Sequence, residues 1–470
     1  MVFTRISMKN SGKQDQNTLK ILVAGGSGFI GSRLINKLAG GTSDNAAYSK
    51  LEILCLTRDP QSTKEIISEK VRLVKADVSS HEELTRAMCE QIDIAYYLVH
   101  SMEGTSKDWK RFSERDRVAA MTFAKVATEC GVKRIIYLSG LIDSGHGNEK
   151  LSEHMRSRIE VGEILQKYSS SKVTIFRAAV ILGQGGGSFQ MLQYLVERLP
   201  VMICPRWVLT KCQPIAVEDV VEYLAKCIEV NETEGKAFDI GGPDVLTYIE
   251  MMREYAEIIN KSVRIIIIPF LTPRLSSYWV DLVTPVRASL ARPLIDSLKQ
   301  DAIVHDDSIR EIIPLRLKSF REAIQSARNE KVFRKQPRKL TKERSNQKIN
   351  NRLLIMSLLA MAAIGSTLYI IDGRTEINNG IWIIFGILWY LGIAFALYFL
   401  RFGARLGALT AGFLGWLSLA FYLINSFQIL WGSTMMVSST DPTITILNSI
   451  GAGIAAVAVV TSHNLFHKFQ

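Results

Sequence analysis

A chain of 470 residues, 47% hydrophobic and 22% charged with six cysteines, is too long for a disulfide-stapled mini-protein and too apolar for a disordered chain. The net charge of +12 is concentrated: residues 1–330 hold 44 basic against 41 acidic side chains, residues 331–352 nine against one, and residues 353–470 four against three. The alkaline balance belongs to one short segment, which excludes a basic nucleic-acid-binding face.

The first 18 residues are polar, carry no apolar run of a secretory signal, and read as a disordered tail. Cys55, Cys89, Cys130, Cys204, Cys212 and Cys227 form no Cys-x-x-Cys pair and no zinc spacing with histidine. No metal site is expected, and the six read as free thiols in a reducing compartment.

From residue 19 onward, short apolar runs alternate with helical patterns. Leu19–Ala24, Leu51–Leu56, Val71–Lys75, Ile92–Val99 and Arg134–Leu138 are predicted strands, with helices between them, the longest over Trp109–Cys130. Strands alternating with helices predict an α/β fold, a doubly wound, Rossmann-like parallel sheet. The first strand runs into Gly25-Gly26-Ser27-Gly28-Phe29-Ile30-Gly31 and a helix from about Ser32. In that setting Gly25 permits the tight turn, Gly28 admits a diphosphate to the backbone and Gly31 packs the helix on the sheet, with Ser27, Phe29 and Ile30 completing the cradle. At the end of the second strand Arg58 precedes Asp59. An arginine there meets the 2′-phosphate of NADP, so NADP is favoured and NAD remains the alternative. Asp77, after the third strand, is placed to contact adenine. Val99, at the end of the fourth, and Ser139-Gly140, after the fifth, lie at the carboxyl edge where such sheets bind ligands.

Val173–Ile181 is a predicted sixth strand on which Arg177 braces the structure, and Gly183–Phe189 a flexible loop opening a helix. Trp207, Tyr278 and Trp279 either line an apolar pocket or pack a core. Pro214–Asp219 reads as a strand entering a helix capped by Glu218 or Asp219. No internal repeat is evident.

Residues 331–352 form a basic juxtamembrane linker, followed by four uncharged apolar stretches, Leu353–Ile371, Ile381–Leu400, Leu406–Leu430 and Ile444–Val460. At 1.5 Å per residue each covers close to the ~30 Å of a bilayer's hydrocarbon, predicting a C-terminal all-α transmembrane bundle. The basic linker and the Arg401–Arg405 loop place the N-terminal domain and the C-terminus on the cytoplasmic side of a plasma or inner membrane.

Several segments taken together resemble an extended, atypical short-chain dehydrogenase/reductase over roughly residues 19–325. They are GGSGFIG (25–31), YYLVHSM (96–102), KRIIYLSGL (133–141), FRAAVILG (176–183), LPVMICPRW (199–207), QPIAVEDVVEYL (213–224), FDIGGPDVLTY (238–248) and LTPRLSSYWVDLVTPV (271–286). The resemblance is to the NmrA-like, YbjT-like branch, related to the nucleotide-binding subunit of respiratory complex I. It implies a Tyr-x-x-x-Lys pair on the helix after the fifth strand. Here His154 stands at the tyrosine position and Arg158 at the lysine position. Arginine keeps its charge and cannot relay a proton, yet can bind ribose hydroxyls, and a cation beside His154 favours the neutral imidazole. Ser139 corresponds to the family's active-site serine, and His100 is a second acid–base candidate near the nicotinamide.

The expectation is a membrane-anchored NAD(P)-dependent oxidoreductase moving hydride to a carbonyl or enone of a lipophilic substrate (a quinone, isoprenoid or lipid). Its partners are the bilayer and that substrate, with no nucleic acid, and association between copies is left open. The rival readings are a non-catalytic NADP(H) sensor or assembly factor and, more weakly, a nucleotide-sugar epimerase or dehydratase.

Overall fold

The computed structural model describes residues 18–40, 51–60, 68–99, 109–141, 151–199, 201–268, 295–296, 300–330, 338–371, 379–401, 405–431 and 442–468. The tail before residue 18, His100, and the aromatic segment with Tyr278 and Trp279 lie outside them, as does the side chain of Trp207. The chain forms two compact units. One comprises residues 1–189, 207–254 and 296–330; the other comprises 190–206, 255–295 and 331–470.

The first unit begins with β1 (Leu19–Ala24), α1 (Phe29–Ala39), β2 (Leu51–Thr57), β3 (Val71–Lys75), α2 (His81–Met88), β4 (Ile94–Tyr97), α3 (Trp109–Glu129), β5 (Arg134–Gly140), α4 (Glu153–Tyr168) and β6 (Lys172–Ala178). The predicted sixth strand breaks after Ala178, and Ile181–Leu182 (β7) instead pairs with Ile215–Ala216 (β10). Further along come α5 (Gly187–Arg198), β8 (Val201–Pro205), β9 (Lys211–Cys212), α6 (Val217–Lys226), β11 (Ala237–Ile240), β12 (Leu246–Thr247), α7 (Tyr248–Ile258) and β13 (Arg264–Ile268). The seven-stranded sheet has the order β11-β6-β5-β4-β1-β2-β3 and every pairing in it is parallel. From β1 the chain first builds one side, through β2 and β3, and then crosses to β4. The switch point is therefore between β1 and β4, where the crevice at the carboxyl edge takes ligands.

Ile21, Leu22, Val23 and Ala24 have no exposed surface, as expected of a central strand covered on both faces. Ile21 and Val23 pack with Leu34, Ile35 and Leu38 of α1 and Val220 and Leu224 of α6. Leu22 and Ala24 pack with Leu84 of α2, Phe123 of α3 and Ile164 of α4. On adjacent strands Arg177 Nε donates to Asp239 Oδ1 at 2.6 Å, so Arg177 is a structural brace.

The expectation of six free thiols is corrected. Cys89 and Cys130 form a disulfide with Cα atoms 4.7 Å apart and a sequence separation of 41. Cys89 caps the end of α2 and Cys130 follows α3, an adjacency that spacing along the chain does not reveal. Closing a loop of that size is worth about 4 kcal/mol in the chain-entropy account. Cys55, Cys204, Cys212 and Cys227 are free and buried. Burial pushes the first three thiols up to about 11 and Cys227 to about 12, so none is a thiolate nucleophile at neutral pH.

The reading of Glu218 or Asp219 as a helix cap is also corrected. Ala216 is the N-cap of α6 and makes no side-chain capping bond, while both acids sit in the first turn. They hold the chain that ends the unit, where α8 (Ser308–Ile312) is followed by α9 (Phe320–Asn329). The Lys318 amide donates to Asp219 Oδ2 at 2.8 Å. Burial pushes the Asp219 carboxyl up to about 6, with Glu218 and Glu222 adding to the rise. A carboxyl raised on folding contributes stability that is complete below its unfolded value near 4 and lost as pH rises through about 6. Asp219→Asn keeps an oxygen for the Lys318 amide and removes that dependence. The variant should gain stability relative to the parent, by on the order of 1–3 kcal/mol, between pH 4 and pH 7. Thermal melts of both proteins across that range would show it, and parallel curves would sink the assignment.

The second unit contains β8 and β13, paired in parallel, and four long helices: α10 (Arg338–Ile371), α11 (Asn379–Arg401), α12 (Arg405–Trp431) and α13 (Pro442–Lys468). Among the described residues three carry stretches long and apolar enough to cross a membrane: Asn350–Leu368, Leu406–Ile424 and Ile444–Phe466. The described apolar part of α11 is Gly386–Leu400. Much of the basic linker is helical, because Lys, Arg, Glu and Gln are good helix formers and α10 already begins at Arg338. The helices meet through small residues: a Cβ at Gly412 would lie 2.6 Å from Ser462 Oγ, and one at Gly451 would lie 2.7 Å from the Tyr422 ring. Ile384, Ile387, Leu388 and Leu391 form an exposed aliphatic stripe on α11, each more than half exposed, which suits hydrocarbon rather than water.

Candidate functional site

At the end of β1, Gly25 has φ +85, the left-handed region, and a Cβ there would lie 2.6 Å from the Leu98 carbonyl oxygen and 3.1 Å from the Val99 nitrogen. The chain leaving β4 thus closes directly against the glycine turn. The Gly28 amide donates to Gly25 O at 2.9 Å. A Cβ on Gly31 would meet Gly25 O at 2.3 Å and Gly26 Cα at 2.8 Å, so α1 is seated hard on the turn. Gly26, absent from the sequence argument, is a packing glycine whose Cβ would strike Cys55 Sγ and Ile35 Cδ1. Gly28 is the N-cap of α1, with no side-chain capping bond and no acid in the first turn. Ser27 and Gly28 are exposed, Phe29 and Ile30 half-buried. The positive end of α1 therefore opens on the switch-point crevice, the arrangement that binds a diphosphate.

Arg33, missed in the sequence, supports this cradle. Its guanidinium lies 4.6 Å over the Phe29 ring and donates to Phe29 O at 2.8 Å, to Gln184 O at 2.8 Å and to both carboxylate oxygens of Glu330 at 2.7 and 2.9 Å. The 183–187 loop lies on the same ring: a Cβ at Gly186 would be 2.9 Å from Phe29 Cζ.

At the far side of the crevice Arg58 follows β2 and is exposed. Asp77 Oδ1 accepts from the Ser79 amide at 2.8 Å and from its hydroxyl at 2.6 Å. Those two bonds, and then the positive charge of Arg58, hold the Asp77 carboxyl below the usual carboxylate range. Asp77 is thus an anion fixed in the turn before α2, within the field of Arg58.

The other end of the site is built on β5 and α4. Ser139 is buried, and its hydroxyl donates to the Arg158 carbonyl at 3.4 Å. The Tyr137 hydroxyl donates to the same oxygen at 3.0 Å. The Arg158 guanidinium turns back to the Leu138 carbonyl and lies 5.8 Å from the Tyr137 ring centre. Met155 and Arg158 cover Gly140, whose Cβ would lie 2.4 Å from Met155 Cε. His154 is half-buried in the first turn of α4, after the N-cap Ser152, whose hydroxyl oxygen accepts from the Met155 amide at 3.2 Å. Ser139 and Arg158 are thus brought together, with His154 one helical turn away from Arg158. His100 lies outside the described residues.

The sequence reading also missed Asp116 of α3, which is buried and accepts from Ser157 Oγ at 3.4 Å. Burial, with Asp116 adding, pushes Tyr97 and Tyr137 above the usual phenol range, against the opposing charge of Arg158. Both phenols stay protonated at neutral pH. Signals for these residues were present. Tyr137 is two residues from Ser139 and shares its face of β5, and Asp116 falls on the apolar stripe Ala120, Phe123, Ala124, Ala127 of α3. An acid on such a stripe needs partners. Chemically, a fixed guanidinium beside a buried serine hydroxyl can hold and polarise an oxygen of a ribose or a carbonyl. Among the described residues no cluster of metal-ligating side chains exists.

Residues 21–241 match the model of the NAD dependent epimerase/dehydratase family. The chain is 23% identical over 339 residues to NADH dehydrogenase (ubiquinone) 1 alpha subcomplex subunit 9, mitochondrial, of Arabidopsis thaliana, covering 66% of this chain and 78% of that protein. Among solved structures it is similar to the epimerase Mth375 of Methanothermobacter thermautotrophicus (TM-score 0.52, 16% identity, 66% of this chain and 91% of that one). It is similar also to the NADPH-dependent quinone oxidoreductase QOR2 of Escherichia coli complexed with NADPH (0.52, 16%, 66% and 100%). A third likeness is to the triphenylmethane reductase of Citrobacter sp. complexed with NADP(H) (0.51, 17%, 65% and 99%). These structures share the fold. Residues 21–241 thus form a Rossmann-like domain that resembles the NAD dependent epimerase/dehydratase family and shares its fold with structures that bind NADPH or NADP(H).

Proposed function

We propose that the chain is a membrane-anchored, NADP-preferring oxidoreductase of the NmrA-like branch that acts on a carbonyl or enone of a lipophilic substrate, a quinone, isoprenoid or lipid. The observation that carries this reading is the union, in one chain, of an uncapped glycine turn at the switch point with helices long and apolar enough to cross a membrane. A dinucleotide-binding domain held at a bilayer meets greasy substrates at their own surface.

Gly25, Ser27, Gly28, Phe29, Ile30 and Gly31 would hold the diphosphate, Arg58 the 2′-phosphate, Asp77 and Val99 the adenosine side, and Arg158 the nicotinamide ribose. When bound, the cofactor supplies a hydride to the substrate carbon. Ser139 would donate to the substrate oxygen as negative charge grows on it, and His154 would orient that oxygen as a neutral donor. The described domain and the end of α11 at Arg401 are read as cytoplasmic. Support comes from the basic flanks and from the Tyr398 hydroxyl of α11, which donates to the Arg198 carbonyl at 3.2 Å within the second unit. A non-catalytic NADP(H) sensor or assembly factor is the second reading. It is favoured by the absence of Tyr-x-x-x-Lys from α4 and by likeness to a respiratory-complex subunit.

The purified full-length protein in lipid nanodiscs should oxidise NADPH only when a quinone or polyprenyl carbonyl is supplied. Arg58→Ala should raise the KM for NADPH about 10–100-fold and leave that for NADH within about twofold, the loss of one charge-assisted phosphate contact. NADPH binding without turnover on any such substrate would favour the sensor, and equal KM changes for both cofactors would remove Arg58 from the site.

A further inference from the structure

The paired strands β8 and β13 carry an exposed apolar face within the second unit. Their register sets Val201 beside Arg264 and Ile203 beside Ile266. On that face Val201 is 43% exposed, Ile203 45% and Ile266 50%; on the other face Met202 and Cys204 of β8 are buried and Ile267 of β13 is 38% exposed. Exposed aliphatic side chains on adjacent strands form a contiguous surface, and such a surface marks an interaction site.

The roots of this ribbon identify its partner. Helix α5 ends at Arg198, and its last carbonyls are capped by side chains from elsewhere in the same unit. Lys261 Nζ donates to Val196 O at 2.8 Å and to Glu197 O at 2.7 Å, and the Tyr398 hydroxyl of α11 donates to Arg198 O at 3.2 Å. Val201 opens β8 three residues after Arg198, and Arg264 opens β13 three residues after Lys261. Tyr398 is itself three residues from Arg401, where α11 ends. Three extended residues span roughly 10 Å, so both strands start within the headgroup layer of a bilayer crossed by α11. Tyrosine and arginine are the residues that sit at that depth. Exposed Arg206 follows β8 and exposed Arg264 opens β13, so the face is flanked by cations that suit anionic headgroups.

We propose that the β8–β13 ribbon is a lipid-contacting element: Val201, Ile203 and Ile266 insert into the headgroup–acyl boundary beside α11, with Arg206 and Arg264 at the phosphates. The ribbon anchors the second unit to one leaflet independently of any catalytic activity. The inference rests on the reading of α11 as a membrane span, and the experiment separates the two.

Variants with one added cysteine, Ile203→Cys, Ile266→Cys, Leu388→Cys and Val118→Cys, of the full-length protein would carry an NBD fluorophore in nanodiscs of phosphatidylcholine and phosphatidylglycerol. The free native thiols are buried, so background labelling is small and is measured on the parent. Variants that retain NADPH binding are compared in ordinary and brominated lipids. Ribbon labels at residues 203 and 266 should emit blue-shifted light and lose about half of it to brominated lipid. The label at 388, on the exposed stripe of α11, should be quenched, and that at 118, on α3, should not. Quenching at 388 with none at 203 and 266 overturns the ribbon proposal alone. No quenching at 388 overturns the spanning reading and the proposal with it. A blue shift at 203 and 266 that brominated lipid leaves untouched assigns the face to protein, such as a second copy, and also overturns it.

Discussion

Gly28→Ala and Gly31→Ala should both weaken NADPH binding about 100-fold or more, equivalent to about 2.7 kcal/mol, but only Gly31→Ala should also damage the fold. A Cβ on Gly31 falls 2.3 Å from Gly25 O and 2.8 Å from Gly26 Cα, both backbone atoms with no rotamer to yield. Relief requires α1 to lift from β1, an overpacking cost of about 1–3 kcal/mol that also moves the helix amides. A Cβ on Gly28 meets only Gly25 O, at 3.1 Å, so the fold tolerates it with a small shift. Its methyl nevertheless projects from an exposed residue into the mouth of the crevice, where a diphosphate must touch the backbone. Titration of NADPH against full-length protein, with a thermal melt of each variant, separates the effects. Undiminished binding by a folded Gly28→Ala protein would mean that the diphosphate does not rest on this turn.

The glycine turn was legible because its logic is local: a short apolar run, a spacing and a helix lie within twenty residues. Six of the seven strands of the sheet were legible for the same reason, the edge strand β11 being the exception, and the apolar helices because charges are missing from them. What escaped the sequence is held together by residues far apart. Arg33 joins Gln184 and Glu330 across 151 and 297 positions, and no pattern in any one window announces that clamp. Cys89 and Cys130 meet only because α2 and α3 end side by side. The strand Arg264–Ile268 was not predicted, and its pairing with Val201–Pro205, in the unit that holds the apolar helices, is a tertiary fact. Propensity names an element; its neighbour is chosen by packing.

The β5–α4 end of the proposed site was approached in the sequence as residue types and not as geometry. Family spacing pointed to Ser139, His154 and Arg158, but not to the Arg158 carbonyl as the common acceptor of Tyr137 and Ser139, nor to buried Asp116 within the field of the same phenols. That geometry makes Arg158 the residue whose loss should hurt turnover most. Arg158→Met preserves the aliphatic cover over Gly140 and removes the cation, so Asp116 and the phenols lose the opposing positive charge. We expect kcat/KM for NADPH-dependent reduction to fall about 100–1,000-fold, the size seen when one oriented donor is lost from a charge-stabilising site. Arg158→Lys should recover about tenfold of that, because it restores the charge without the planar fork. Ser139→Ala should cost about 100-fold in kcat with little change in cofactor affinity, since its hydroxyl is assigned to the substrate oxygen. His154→Ala should lower kcat about tenfold by the same factor at every pH if the imidazole orients as a neutral donor. Loss of one limb of the pH profile would make it the proton donor instead. Steady-state kinetics on the four variants, each checked for NADPH binding and thermal stability, distinguishes these roles. Wild-type turnover by a folded Arg158→Met protein would place the reacting oxygen out of reach of the Arg158 guanidinium.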